Sequence, residues 1–219
     1  MKKITLIHTV KSVANSFDTQ IREEINKPLS ITNILDEFLV TNAKAKGFFP
    51  PENKRKLFLD LLSASEEKSD VIVVTCSSLT PYVIELRSSF ETPIITIDEE
   101  MCRIAALAGD KIAVLATAPT TINPTVSRIE AEAKKLDKNV TVSAYLDEKA
   151  IELLSNGDVK GHDARVAELA CKNTADADVI VLAQASMASA SKLVGERTGK
   201  RVITSPHSCI PEIKKTLSF

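Results

Sequence analysis

The chain has 219 residues, 44% of them hydrophobic and 26% charged, and a formal net charge of −1. This composition is typical of a soluble globular protein, and it gives no electrostatic reason to expect nucleic acid or a membrane surface as a partner. No apolar run approaches the length of a membrane span, and His8 and Lys11 interrupt the apolar N-terminal stretch. We therefore expect a cytoplasmic protein without a signal peptide.

Strands and helices alternate in the first half of the chain. Apolar β-rich runs predict strands, and apolar residues at helical spacing predict helices. The predicted elements are a strand at 4–7, a helix at 16–27, a strand at 31–35, a loop at 42–53, a helix at 52–68, a strand at 71–74, a helix at 80–90, a strand at 94–97 and a helix at 99–108.

The second half repeats this alternation. The predicted elements are a strand at 112–115, a helix opening at Asn123-Pro124, a strand at 140–144, helices at 147–155 and 163–175, a strand at 179–182, a helix at 186–198, a strand at 202–204 and a short helix opening at Pro211. Such alternation predicts an α/β fold with parallel sheets and right-handed crossovers.

The two halves of the chain resemble each other in sequence. Residues 3–9, 70–79 and 93–96 match residues 111–117, 178–187 and 201–204, each at an offset of 108 (111 − 3, 178 − 70 and 201 − 93). We therefore expect two pseudo-symmetric lobes, at 1–109 and 110–209, with the C-terminal helix 210–219 returning to the first lobe. The copies differ at one chemically important position, because the first has the thiol of Cys76 where the second has the amide of Gln184.

Polar residues follow the predicted strands, and ligands of open α/β sheets bind beyond the carboxyl ends of the strands. We expect a cleft between the lobes, with Cys76 and Gln184 on opposite walls. The other candidate substrate-binding residues are His8, Thr9, Ser77, Ser78, Thr117, Thr120, Ala185 and Ser186.

Cys76 lies between a buried strand and a helix, where the helix dipole would lower the pKa of its thiol. Ser77 and Ser78, with the N–H groups of that turn, could hold a carboxylate. The alternative is that Cys76 is a small buried residue and Ser78 caps the helix. Thr117 and Thr120 could likewise donate to an anion or serve as capping residues.

The remaining cysteines and histidines give weaker signals. The four cysteines form no C-x-x-C pair and the three histidines lie far apart, so we expect neither a metal site nor a disulfide framework. Cys102 and Cys171 are expected to be buried thiols within amphipathic helices. His162 is expected to be solvated on a surface loop, whereas His207 and Cys209 follow a strand and could lie at the rim of the cleft.

Three segments carry a resemblance to a known family. Val-Val-Thr-Cys-Ser-Ser at 73–78 resembles a Cys-Asn-Thr turn, and Leu-Ala-Thr-Ala-Pro-Thr at 115–120 resembles a Thr-x-x-Thr loop. The stretch from Gly157 to the strand at 179–182 resembles the approach to a second Cys-Thr turn. Together these segments resemble the aspartate/glutamate/hydantoin racemase superfamily, over nearly the whole chain.

The resemblance implies a cofactor-independent enzyme, forming a homodimer or higher homo-oligomer, with two cysteines that transfer protons on opposite faces of a substrate carbon. Cys76 would be the first of these thiols, and Gln184 stands where the second is expected. The residues in the substrate-anchoring turns would be Ser77, Ser78, Thr117, Thr120, Ala185 and Ser186. An amide can donate and accept hydrogen bonds but cannot relay a proton.

Three functions follow from this departure. The first is an isomerase, a racemase or epimerase in which Cys76 serves one face and His8, His207 or Cys209 the other. The second is a one-thiol lyase, which resembles a decarboxylase of the same superfamily, with Gln184 stabilising an oxyanion. The third is a non-catalytic protein that binds small carboxylates. We favour the isomerase, acting on a small anionic substrate: a carboxylate, an amino acid or a hydantoin.

Overall fold

The computed structural model describes residues 1–219, and they divide into two compact α/β units. The first unit comprises residues 1–97 and 209–219, and the second comprises residues 98–208. No helix combines the length and the apolar character that crossing a bilayer requires. No group of three or more His, Cys, Asp or Glu side chains is arranged to hold a metal ion.

The first unit is built on a four-stranded parallel sheet in the order β2-β1-β3-β4. Its strands are β1 (Lys2–His8), β2 (Leu29–Leu35), β3 (Val71–Val74) and β4 (Ile94–Thr96). Its helices are α1 (Lys11–Ile25), α2 (Phe38–Lys46), α3 (Pro51–Glu66), α4 (Thr80–Leu86) and the C-terminal part of α10 (Ser205–Thr216). Short 3-10 turns at Ser77–Leu79 and Arg87–Ser89 flank α4.

The second unit has the same architecture, with a parallel sheet in the order β6-β5-β7-β8. Its strands are β5 (Lys111–Ala116), β6 (Thr141–Leu146), β7 (Val179–Leu182) and β8 (Arg201–Thr204). Its helices are α5 (Glu99–Ala108), α6 (Pro119–Lys135), α7 (Glu148–Ser155), α8 (Val159–Asn173), α9 (Ser191–Thr198), which follows a 3-10 helix at Ala185–Ala190, and the start of α10. The predicted fold class, two α/β lobes with parallel sheets, is confirmed.

Helices cover both faces of each sheet, which is why β3 and β7 are wholly apolar. In the second unit, Val179 and Val181 of β7 face a cluster that includes Ile129 of α6, whereas Ile180 and Leu182 face the cluster of α8 and α9. Successive strand residues point to opposite faces, so a short run of apolar residues fills two core layers. Full burial of each such side chain contributes about 1.5–3 kcal/mol.

The internal repeat extends to individual hydrogen bonds. Asp70 N donates to Lys3 O at 2.8 Å, and Asp178 N donates to Lys111 O at the same distance. The carboxylate of Asp70 accepts from Lys3 N, and that of Asp178 accepts from the N–H groups of Asp110 and Lys111. Each sheet is therefore tied at its amino end by an aspartate at the same point of the repeat.

Several element boundaries differ from the sequence-based expectation. Helix α1 begins at Lys11 rather than residue 16, and α2 begins at Phe38 and continues to Lys46, into the segment 42–53 that was expected to be a loop. Helix α6 begins at Pro119, so Pro124 lies inside it. Helix α10 begins at Ser205, so the polar segment 205–209 is helical and Pro211 lies inside the helix. For α1 and α6 the apolar periodicity predicts the helix but not the residue at which it begins.

Helix α5, which the sequence analysis places at the end of the first lobe, belongs to the second unit. Its buried residues Met101, Cys102 and Ala105 join a core cluster with Ile112 and Ile129. This packing explains why the observed division falls before α5, at residue 97, rather than near Gly109.

Candidate active site

The candidate residues of the first unit lie at the carboxyl edge of its sheet. His8 ends β1, Thr75 and Cys76 follow β3, and β1 and β3 are hydrogen-bonded neighbours. Thr75 N donates to Ile7 O at 2.9 Å, which continues the pairing of the two strands to the site. His8, Thr9 and the turn at 76–78 therefore belong to one edge, as the strand order requires.

His8 is fully buried, and both of its ring nitrogens have partners. Nε2 lies 3.0 Å from Asn33 Oδ1, and Nδ1 lies 2.8 Å from the hydroxyl of Thr75. The amide of Asn33 is oriented by Asp18, because Asn33 Nδ2 donates to that carboxylate at 2.8 Å. The oxygen of Asn33 thus faces His8, and Nε2 must carry the proton.

In the neutral ring the remaining nitrogen, Nδ1, can only accept, so the Thr75 hydroxyl hydrogen goes to Nδ1 at 2.8 Å in preference to Ile7 O, which lies 3.2 Å from the same hydroxyl. Burial lowers the pKa of His8 from 6.5, against weaker opposing effects of the Asn33 hydrogen bond and the Asp18 charge. His8 is therefore a neutral imidazole whose nitrogens are both occupied. It supports Thr75, the residue before Cys76, and offers no ring nitrogen to a ligand in this arrangement.

Cys76 is partly buried and has an extended backbone, with φ −122° and ψ 111°. Its carbonyl accepts the N–H of Leu79 at 2.9 Å, which closes the 3-10 turn that leads into α4. Within this turn Ser77 is buried and Ser78 is partly buried. The thiol thus follows a rigid, fully buried strand.

Gln184 occupies the corresponding place in the second unit. It follows β7, has φ −126° and ψ 140°, and its carbonyl accepts the N–H of Met187 at 2.9 Å. The 3-10 helix that it opens contains Ala185 and Ser186, both partly buried. Cys76 and Gln184 therefore stand at the same point of one repeated hydrogen-bond pattern, as the sequence offset predicts.

The side chain of Gln184 caps helix α6. Its Oε1 accepts three hydrogen bonds, from Thr117 N at 2.6 Å, the Thr117 hydroxyl at 3.1 Å and Ala118 N at 3.1 Å. Ala118, the N-cap residue, has no side chain that could accept these bonds. The three donors fix the amide orientation, so the Nε2 amino group points away from the helix and remains a hydrogen-bond donor.

The other predicted residues of the second unit lie near this cap. Thr117 is fully buried beneath Gln184, whereas Thr120 is exposed in the first turn of α6. His207 is exposed in the first turn of α10, which follows β8, the neighbour of β7. Cys209 is buried in the first unit.

Two expectations about the remaining candidates were wrong. His162 is fully buried in α8, where Nδ1 contacts the carboxylate of Asp163 at 2.8 Å, because the helix begins earlier than expected. Cys171 is exposed on α8, whereas Cys102 is buried as expected. Burial raises the pKa of the Cys102 thiol well above 9.0, which keeps it protonated.

Sequence reasoning missed Asn33 and Asp18, which fix the tautomer of His8. Asn33 was part of a weak predicted strand and Asp18 part of a helix face, and their contact depends on how α1 lies against β2. It also missed the role of Ala118, which acts through its backbone N–H alone. No side-chain pattern could have indicated that donor.

Asp36, Lys56 and Asp60 form a charged cluster next to this edge. Asp36 follows β2, donates its N–H to His8 O at 2.8 Å, and pairs through its carboxylate with Lys56 Nζ at 2.6 Å. Burial, together with the hydrogen bond and charge of Asp36, raises the pKa of Asp60 to about 6, while Lys56 opposes this shift.

The protein is thus a duplicated parallel α/β protein, with a thiol and an amide at matching strand ends. The Asp/Glu/Hydantoin racemase family model matches residues 50–211, and the chain therefore belongs to this family.

Solved racemase structures share the fold. An aspartate racemase from Picrophilus torridus has a TM-score of 0.75 at 12% identity, over 100% of this chain and 95% of that one. The glutamate racemase isoform RacE1 from Bacillus anthracis has a TM-score of 0.74 at 16% identity, over 99% of this chain and 82% of that one. An allantoin racemase from Klebsiella pneumoniae has a TM-score of 0.68 at 16% identity, over 100% of this chain and 88% of that one. No curated protein sequence shows a significant match.

Proposed function

We propose that the protein is a racemase-like isomerase that transfers a proton at the α-carbon of a small carboxylate, amino acid or hydantoin, with Cys76 as the proton-transfer group. The observation that carries the proposal is the equivalence of Cys76 and Gln184 in the repeat. Membership of the Asp/Glu/Hydantoin racemase family supports the proposal, and the thiol is the group at these two positions that can transfer a proton.

The reaction begins with removal of the α-proton by the thiolate of Cys76. The C–H electron pair moves into the substrate, and negative charge develops on its carboxylate or carbonyl oxygen. Gln184 would donate a hydrogen bond to this oxygen through Nε2, since Oε1 is engaged by Thr117 and Ala118. One such donor is worth about 10²–10³ in rate. A proton delivered to the other face by a second group yields the enantiomer. The Cys76 thiol then releases its proton to solvent, and the second group takes one up from solvent.

Ser77, Ser78 and Thr9 of the first unit, and Thr120, Ala185 and Ser186 of the second, are proposed to contact the substrate directly or through backbone groups. Thr117 acts by holding Gln184. His8 acts by positioning Thr75. For the second face we propose His207, because it is exposed just beyond β8, whereas Cys209 is buried.

A second candidate, a one-thiol lyase, is favoured by the same cap. Because Gln184 cannot relay a proton, Cys76 would protonate an enolate formed by loss of CO₂ and would be restored by solvent. In that reaction the C–C bond electrons become the enolate, and the thiol proton goes to carbon. The lyase reaction needs no second proton donor, so His207 would have no role in it.

Isotope exchange in D₂O tests these proposals. Single enantiomers of aspartate, glutamate and a 5-substituted hydantoin, and a 2-substituted malonate, are incubated with the protein and followed by NMR and by chiral chromatography. For the isomerase we expect deuterium at the α-carbon of recovered substrate and appearance of the enantiomer. Release of CO₂ from the malonate with deuterium only in the product would instead identify the lyase.

Cys76→Ser should lower either rate by about 10²–10⁴-fold, while Cys171→Ser, at an exposed thiol on α8, should not. His207→Gln should block formation of the enantiomer but leave exchange at the face served by Cys76. Full activity of Cys76→Ser would overturn both catalytic proposals, and binding of these compounds without turnover would identify a binding protein.

A further inference from the structure

The first turns of α1 and α6 are copies of one another. The residue before α1 is Val10, with φ −135° and ψ 123°, and the residue before α6 is Ala118, with φ −131° and ψ 130°. Val13 N donates to Val10 O at 3.1 Å, and Thr121 N donates to Ala118 O at 3.2 Å. The repeat offset of 108 therefore pairs Val10 with Ala118 in backbone geometry as well as in sequence.

The same offset pairs Thr9 with Thr117. In the second unit, Thr117 N, the Thr117 hydroxyl and Ala118 N converge on one oxygen, Oε1 of Gln184. We call this donor set the α6 nest. In the first unit the corresponding donors are Thr9 N, the Thr9 hydroxyl and Val10 N, which we call the α1 nest. The N–H groups at a helix start have no intrahelical acceptor.

The two nests differ in what the chain itself supplies as an acceptor. Cys76 stands where Gln184 stands, and a cysteine side chain ends at Sγ, well short of the amide oxygen of a glutamine. Thr9 is 5% exposed, and its buried hydroxyl oxygen has no hydrogen-bond partner. A buried hydroxyl without a partner is unfavourable, by about 1–3 kcal/mol, and this points to an acceptor that the chain does not provide.

Charge at the start of α1 favours an anion as that acceptor. The helix has 15 residues, no acidic residue in its first turn and no side-chain cap, and Lys11 is its first residue. A cation at a helix N-terminus opposes the helix dipole, whereas an anion there is stabilised by the dipole and by the exposed N–H groups.

We propose that the α1 nest binds one carboxylate oxygen of the substrate, beside Cys76, in the manner in which the α6 nest binds Oε1 of Gln184. The carboxamide of Gln184 is thus an internal copy of the bound carboxylate. Because Gln184 fills the α6 nest, the protein has one nest of this kind for a ligand. This assignment deepens the proposed function and rests on it for the identity of the ligand as substrate.

Acetate is the probe for the test, with acetamide as its uncharged counterpart. Acetate is titrated into ¹⁵N-labelled full-length protein, and the amide signals of the two nests are followed. We expect saturable shifts at Thr9 and Val10, weak or absent shifts at Thr117 and Ala118, and weaker binding of acetamide. Thr9→Val should weaken acetate binding about tenfold or more, as expected for loss of a hydrogen bond to a charged group. Thr117→Val is the matched control in the other unit.

Exchanging the two equivalent side chains gives a sharper test. Cys76→Gln should supply the missing acceptor and abolish acetate binding at the α1 nest, whereas Cys76→Ala should retain it. Gln184→Ala should open the α6 nest and add a second acetate site, seen as new shifts at Thr117 and Ala118. Equal acetate binding by Cys76→Gln and Cys76→Ala, or no response of Thr9 and Val10 in the unaltered protein, would overturn the assignment.

The test separates this assignment from the proposed function. Cys76→Ala should lose turnover while it still binds acetate, so turnover reports on the proton-transfer role alone. Acetate binding at the α1 nest in an active Cys76→Ala protein would support the subsite and overturn the catalytic role. Loss of turnover in Cys76→Ala, without acetate binding in any variant, would support the catalytic role of Cys76 and overturn the carboxylate subsite at the α1 nest.

Discussion

Nε2 of His8 lies 3.0 Å from Oδ1 of Asn33, and this contact decides which nitrogen of a buried imidazole carries the proton. The amide cannot rotate to offer a donor instead, because Asp18 holds its Nδ2. The consequence is a neutral His8 that accepts the Thr75 hydroxyl and so steadies the end of β3 from which Cys76 projects.

His8 should make the protein less stable in acid. Its folded pKa is lowered, so as the pH falls below 6.5 the unfolded chain takes up a proton that the folded protein does not, and unfolding is favoured. Urea unfolding midpoints measured at about pH 5 and pH 7 should therefore differ less in His8→Gln than in the unaltered protein. His207→Gln, at an exposed histidine, is the control, and an unchanged difference in His8→Gln would contradict the assignment.

Asp60 should make the protein less stable as the pH rises, opposite to the effect of His8. Its folded pKa is about 6, above the ordinary value of 3.8, so in this window the folded protein holds a proton that the unfolded chain has lost. Stability is then lost as the pH rises through about 6. Asp60→Asn should gain stability relative to the unaltered protein between about pH 4 and pH 7, measured by urea unfolding. Asp176→Asn, at an exposed carboxylate, should show no such trend, and a flat difference for Asp60→Asn would refute the effect.

Gln184 should contribute to the stability of the second unit as a helix cap. Gln184→Ala removes the acceptor for two N–H groups and a hydroxyl, and should lower the free energy of unfolding by about 1–2 kcal/mol. Gln184→Glu keeps an acceptor at a helix N-terminus, where negative charge is favoured, and should retain or increase stability. Chemical denaturation of both variants checks this, and equal destabilisation by the two changes would show that Oε1 does not cap α6.

Gly109 should tolerate no side chain, although its φ is −171° and its backbone is unstrained. A Cβ there would lie 2.5 Å from Cβ of Asp178, whose carboxylate is held by Asp110 N and Lys111 N. Gly109→Ala should therefore cost about 1–3 kcal/mol through overpacking, measured by urea unfolding. In Gly195→Ala the nearest atoms are 3.8 Å away, and this change within α9 should stabilise slightly. Similar effects of the two substitutions would exclude the clash.

Local patterns in the sequence predicted the strands and the repeat, because a buried parallel strand such as β3 or β7 is a short apolar run whatever surrounds it. They misplaced the start of α6, because its cap comes from Gln184, which is 67 positions away from Thr117. His162 was misplaced because α8 begins at Val159. The equivalence of Cys76 and Gln184 was visible in the sequence, but the use of Oε1 as an acceptor depends on tertiary contacts.

The division of α10 constrains how the chain folds as it is made. Residues 209–219 belong to the first unit, and Ile210, Ile213 and Leu217 are buried, yet the whole second unit precedes them in the chain. During translation the core of the first unit therefore stays incomplete until residues 209–219 have been made, after the whole second unit. Cys76, the proposed proton-transfer group, thus belongs to a unit whose core is completed by residues that follow the second unit in the chain.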